Sequence, residues 1–412
     1  MNFPRHRVYG GAHGGGGDVT PEQGRVTATR NVFVHESGKT WSYRGITAFL
    51  LYYHWLNGQN VDPFVQWASS LGVNTVRVLG MVHWPAKTYV ATLDGDGDGT
   101  SFGPHSPGWW EELLPFVDHL GEKGMRVEFV VFASAQDIMP NAHDQRAHLR
   151  KVVDALSGRW NCFIEICNEP WQNGVNPPAI FSPSDARGLP MAYGVYDFEV
   201  AQRSDGLWVA TLPVLDYVTA HSPRDMEAWS RKAKDLAEYR DGSGDGLASN
   251  SPLYPGAHIP IVGDEPMGAA EADKLAGRQR SNIANDHAWY HANAAINGAG
   301  STYHCDAGLF AVLPPAGGDQ EACGLATADA WAAIEPEFQE GSYTRGGLGD
   351  LPLVWEPQYF PEQTSRIYGR ILGGRACCVA IKPNGGWTAK AAGGWRIVST
   401  AGPMNSIVHL ER

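Results

Sequence analysis

From Val26 onward, short apolar runs alternate with longer stretches whose apolar residues fall on one helical face. VTATRNVFVHES reads as a short hairpin, and Tyr43–Leu51 as the first of a series of strands. Further strands are predicted over Val73–Val82, MRVEFVVFAS, FIEIC, Tyr193–Ala201, Leu215–Arg224, Ile259–Val262 and Ile296–His304. Between them, Asp62–Leu71, Trp109–Lys123, Asp144–Leu156, Asp225–Tyr239 and Ala269–Ala295 read as helices, the last interrupted near Asn285. Gly72 follows the first of these as a C-terminal cap would. Gln172–Leu189, rich in Pro, Asn and Ser, reads as an extended loop, and Thr327–Glu340 as a final helix. After GSYTRGGLGD the runs become short, β-branched and separated by Gly, Pro and Asn. Three segments follow from the pattern: a flexible Gly-rich stretch over 1–24, an α/β unit over 25–340 and a small antiparallel β appendage over 341–412.

The run FIEICNEPW concentrates the candidate chemistry. It is a strand covered on both faces, ended by Pro170, which cannot donate to a ladder and leaves Glu169 at the C-terminal tip. By itself Asn-Glu-Pro is an ordinary turn. In this setting the chain resembles the clan A glycoside hydrolases, the family 5 cellulase-like group of retaining enzymes. The resemblance implies a (β/α)8 TIM barrel whose fourth strand supplies Glu169 as general acid/base, with Asn168 binding the sugar 2-hydroxyl. It also places the first hairpin at the barrel floor and the Gln172–Leu189 loop on the rim.

Other residues extend the resemblance over Gly45–Phe310. In GVNTVRV, Arg77 matches the strand 2 arginine, implied to lie beside the nucleophile and hold it ionised; a buried arginine needs a carboxylate partner in any case. IPIVGDEP ends the seventh strand abruptly, and Glu265 is implied to be the nucleophile. Asp264 competes for that role, but neighbouring strand residues face opposite ways, so only one is expected at the cleft. His221 is implied to line the site from strand 6, and Arg224 and Trp171 are further candidates for contacting substrate. At strand 8, Tyr303 or His304 is expected to replace the tryptophan platform of relatives, and strand 3 ends without their histidine. Two carboxylates about 5 Å apart would cleave a glycosidic bond by double displacement, with no cofactor required.

Composition narrows the alternatives. Asp and Glu number 44 against 32 Lys and Arg, a formal charge of -12, and no basic stripe offers a surface for nucleic acid. No stretch approaches a transmembrane span. The N-terminal MNFPRHRVYGGAHGGGG has no apolar signal core. It suits either a protein not exported by that route or a piece of a larger chain or assembly, and action outside the cell or on a virion fits the latter. Asp94, Asp96 and Asp98 resemble the start of a calcium loop, although His105 stands where a bidentate Glu belongs. The six cysteines have no zinc-type spacing. Cys162 and Cys167 face opposite sides of one strand, and a Cys305–Cys323 bond is geometrically conceivable. The partner implied is a carbohydrate substrate. The rival reading is a glycan-binding or phage-tail-type attachment module on the same barrel. A phosphate-binding isomerase lacks its Gly-rich loop after strand 7. The appendage is either a carbohydrate-binding module or a structural cover.

Overall fold

The computed structural model describes residues 23–29, 32–84, 100–170, 173–176, 180, 187–192, 194–195, 216–221, 260–265, 284–296, 298–334, 338, 342–345, 351–356, 366–381, 388–402 and 406–412. Its centre is a parallel barrel. Barrel strands 1 to 4 are Arg44–Thr47, Thr75–Leu79, Arg126–Phe132 and Cys162–Cys167. Strands 6 to 8 are Val218–Ala220, Ile261–Gly263 and Gly300–Tyr303. Between these groups, Met191–Ala192 pairs with strand 4 and Gly194–Val195 with strand 6, so one short stretch serves as strand 5. Strand 8 pairs with strand 1, Ser301 opposite Arg44 and Tyr303 opposite Ile46, which closes the ring. The result is a (β/α)8 TIM barrel with separate antiparallel sheets at the C-terminus.

Several element boundaries differ from the expectations. Strand 1 stops at Thr47, and Leu51 belongs instead to a short helix, Leu51–Leu56, whose buried Leu51 and Tyr52 continue the apolar run. Strand 2 stops at Leu79; Val82–His83 turns away to pair antiparallel with Ser101–Phe102. Ile296 closes the helix Ala284–Ile296 rather than opening strand 8. The final helix of the barrel is Asp319–Ala333, starting earlier and ending earlier than expected. The helices Asp62–Ser70 and Trp109–Glu122 form as anticipated, with Gly72 at φ 75° just beyond the first. Ala142–Leu156 begins two residues early because the Asn141 side chain accepts the His143 N–H at 2.8 Å and caps it there. Most of Tyr193–Ala201, all of Asp225–Tyr239 and the calcium-like Asp94, Asp96 and Asp98 lie outside the described residues.

The floor of the barrel is sealed by the N-terminal three-stranded sheet, Val26–Thr29, Val32–His35 and Thr40–Trp41. Phe33 inserts from it among the rings of Trp41, from the same sheet, and of Tyr43, Phe163 and Tyr217, from the starts of strands 1, 4 and 6. Arg126 places its guanidinium over both Trp41 and Trp160. Aromatic surface thus plugs the lower end of the barrel, opposite the C-terminal strand ends where chemistry is done in this fold.

The C-terminal five-stranded sheet runs Ser342–Arg345, Arg366–Leu372, Arg375–Ile381, Ile407–Glu411, Arg396–Ala401 in spatial order. Cys377, Val379 and Ile407 pack against Ala288, Ala292 and Ile296 of one barrel helix and Ala330 of the next. Small alanines on those helices let the sheet approach closely, and Arg370 Nε donates to the Ile296 carbonyl at 2.8 Å. All six cysteines are buried and outside any disulfide, so the conceivable Cys305–Cys323 bond is not formed. Among the described residues no helix is long and apolar enough to cross a membrane.

Candidate active site

Inside the barrel, charged side chains stack in layers above the aromatic floor. In the lowest layer Glu128 of strand 3 accepts the hydroxyls of Tyr43 at 2.6 Å and Tyr217 at 2.5 Å. Burial, then the charges of Asp264 and Glu165, push its carboxyl well above the usual range. Above it lies Arg77 of strand 2, fully buried. Its Nε and Nη2 grip Glu165 of strand 4 in a two-pronged pair at 2.7 Å each, and Nε lies 2.5 Å from Asp264 Oδ2. Nη1 donates to Glu265 Oε1 at 2.9 Å and Nη2 to Asn168 Oδ1 at 2.8 Å. Desolvation lowers the guanidinium pKa, but Asp264, Glu165 and Glu265 outweigh it and carry it above its ordinary value. Glu165 is pushed up to about 7 by burial, with Arg77 pulling the other way.

His221, just past strand 6, joins the two outermost carboxylates. Its Nδ1 is 3.0 Å from Glu169 Oε1 and 3.8 Å from Glu265 Oε1. Burial alone would depress its pKa; the charge of Glu265 and hydrogen bonds to Asp264 and Glu169 raise it to about 10, so the ring is a cation at neutral pH. One carboxylate oxygen from Glu169, one from Glu265 and a ring nitrogen of His221 all lie within 4.8 Å of one another. Glu169 itself stands at φ 44°, in the left-handed region that side chains other than glycine rarely adopt.

The residues anticipated for the site divide. Glu169, Glu265, Asn168, Arg77 and His221 converge on one end of the barrel. His304 faces the same interior, its Nδ1 2.7 Å from Thr47 Oγ1 and its ring 6.0 Å from that of Phe49, which also lies under the Arg77 guanidinium. Tyr303 does not join them. Strand alternation turns it outward, where its hydroxyl donates to the Gln320 carbonyl and its ring meets Trp67 and His287, so it cannot be a sugar platform. The rule that only one of Asp264 and Glu265 can face inward also fails. The strand ends at Gly263, and both carboxylates reach Arg77, Asp264 from below with Thr302 Oγ1 donating to it at 2.7 Å. Trp171 and Arg224 lie outside the described residues.

Glu165 and Asn173 were not anticipated. A buried arginine demanded a carboxylate, and the single charge within the apolar FIEIC run was the available signal for Glu165. Asn173 sits in a loop of Pro and Asn where nothing distinguishes it by type.

Fold and site together define a class, a (β/α)8 barrel that gathers Glu169, Glu265, Arg77 and His221 at one end. Among solved structures, the chain is similar to one described as a glycoside hydrolase at a TM-score of 0.57 and 12% identity, covering 94% of this chain and 96% of that one. A glycoside hydrolase family 5 structure from Bacteroides vulgatus gives 0.53 and 14%, covering 94% and 93%. A family 5 mannosidase from Rhizomucor miehei gives 0.50 and 12%, covering 77% and 100%. At these identities the likeness establishes fold. No protein-family model and no curated protein matches the sequence.

Proposed function

We propose that the protein is a retaining glycoside hydrolase in which Glu265 is the nucleophile and Glu169 the general acid/base. The observation that carries this reading is the approach of the two carboxylates to within 4.8 Å. That spacing suits direct attack on the anomeric carbon; an inverting pair needs about 6.5–9.5 Å to admit a water. Glu265 attacks the anomeric carbon while protonated Glu169 delivers its proton to the leaving oxygen, so the C–O bond breaks as the glycosyl–enzyme ester forms. Glu169, now ionised, takes a proton from water, whose oxygen attacks the same carbon and releases Glu265.

The neighbours have roles that follow from charge and geometry. Arg77 and the His221 cation keep Glu265 ionised in a buried position. Because Asn168 Oδ1 is engaged by Arg77, its amide N–H groups are left to donate to the sugar 2-hydroxyl. The substrate is a poly- or oligosaccharide, by analogy with the family 5 fold. Glu265→Ala is expected to abolish hydrolysis of a glycan and aryl glycoside panel, and Glu169→Ala to abolish it wherever the leaving group needs a proton, while circular dichroism stays that of the parent. Near-full activity of Glu265→Ala on any substrate, or of Glu169→Ala on an unactivated one, overturns the assignment. Sugar binding without reducing-end release by the parent favours the attachment-module reading instead.

A further inference from the structure

We propose that Asn173 is a positioning residue that holds the strained backbone at Glu169 and thereby aims the acid/base carboxylate. The inference rests on the acid/base reading of Glu169. A side chain at φ 44° persists only where its surroundings over-determine it. His221 holds the carboxylate from one side, and Asn173 holds the backbone from the other. Its Nδ2 donates both hydrogens, one to the Asn168 carbonyl at 2.5 Å and one to the Glu169 carbonyl at 3.2 Å. Its own N–H donates to the same Glu169 carbonyl at 3.1 Å.

The opposite end of the amide ties this turn to strand 3. Asn173 Oδ1 accepts the Ser134 N–H at 2.5 Å, and the Asn173 carbonyl accepts the Gln136 N–H at 3.1 Å. Ser134 is itself left-handed, at φ 56°. One amide thus bridges two strained residues at the ends of neighbouring barrel strands, with each polar atom engaged. The loop is also pressed close here, since a Cβ on Gly174 would stand 2.7 Å from Gln136 Cβ. The hydrogen bonds of Asn173 toward this turn go to the Asn168 and Glu169 carbonyls, so its effect passes through the backbone it binds.

This role has a signature that general loosening lacks. When the leaving group is a strongly acidic phenol, the C–O bond breaks without a proton, and acid positioning ceases to matter. Asn173→Ala and the isosteric Asn173→Asp, which keeps the acceptor toward Ser134 but loses both donors, are compared with the parent and with Glu169→Ala. The readout is kcat/KM on two aryl glycosides, one with a dinitrophenyl and one with an unactivated leaving group.

Both Asn173 variants are expected to lose about 10²-fold on the unactivated glycoside, the scale of a misplaced catalytic group, while the activated glycoside is cleaved near the parent rate. Equal losses on both substrates, or no loss on either, overturn the positioning role while Glu169→Ala still discriminates between leaving groups. If Glu169→Ala itself fails to discriminate, the acid/base reading falls, and the positioning proposal with it. Should Asn173→Ala not fold, Asn173→Asp decides.

Discussion

Replacing Arg77 with methionine removes a guanidinium on which Glu165, Asp264 and Glu265 converge, at 2.7, 2.5 and 2.9 Å. Breaking a buried ion pair from one side costs about 3–5 kcal/mol, because the partner is left charged and desolvated. The pH dependence is the sharper signature. The Glu165 carboxyl is raised from 4.5 to about 7, by burial against the opposing pull of Arg77. The folded protein therefore keeps a proton that the unfolded chain has released. The associated stability is present below the unfolded pKa and is lost as pH climbs to about 7. Without Arg77 the folded pKa is higher still, so the variant goes on losing stability beyond the point where the parent stops. The gap between the two proteins should widen above pH 7 by up to about 1.4 kcal/mol per pH unit. Urea unfolding at about pH 6 and about pH 9 measures it, and adding Glu165→Gln should flatten the dependence. A gap equal at both pH values, or below about 1 kcal/mol, refutes the reasoning.

Three further outcomes follow from the packing and the backbone. At φ 44°, Glu169→Gly should be about 1 kcal/mol more stable than Glu169→Ala, both lacking the carboxylate; thermal unfolding of the pair checks it. Phe33→Ala, which empties the space among four floor rings, should cost about 3–5 kcal/mol in denaturant unfolding. Tyr303→Phe, which removes the hydroxyl that donates to the Gln320 carbonyl outside the barrel, should cost about 1 kcal/mol of stability and leave kcat/KM at the parent value.

What could be read from the sequence was set by how local each signal is. The Asn-Glu-Pro strand end, Arg77 in GVNTVRV and the carboxylate after IPIVG are short patterns whose chemistry is unusual for a buried strand, and each lands in the same end of the barrel. Boundaries fared worse where apolar residues run on through a change of structure. ITAFLLYY is apolar on both sides of the strand-to-helix turn, so Leu51 read as strand although it opens a helix. Ile296 ends a helix buried almost all round, whose alanines give no polar face to mark the period. The outward turn of Tyr303 depends on register, which a single sequence does not reveal. The pairing of Arg77 with Glu165 and the clamp by Asn173 join residues far apart in the chain or hidden in loop composition.

In the proposed mechanism Glu169 and Glu265 act on one glycosidic bond through a covalent intermediate. Proton NMR of the first product formed from a hydrolysed glycoside of known anomeric configuration tests it most directly. Double displacement releases the sugar with the configuration of the substrate, and only later does it mutarotate. Initial appearance of the opposite anomer contradicts double displacement.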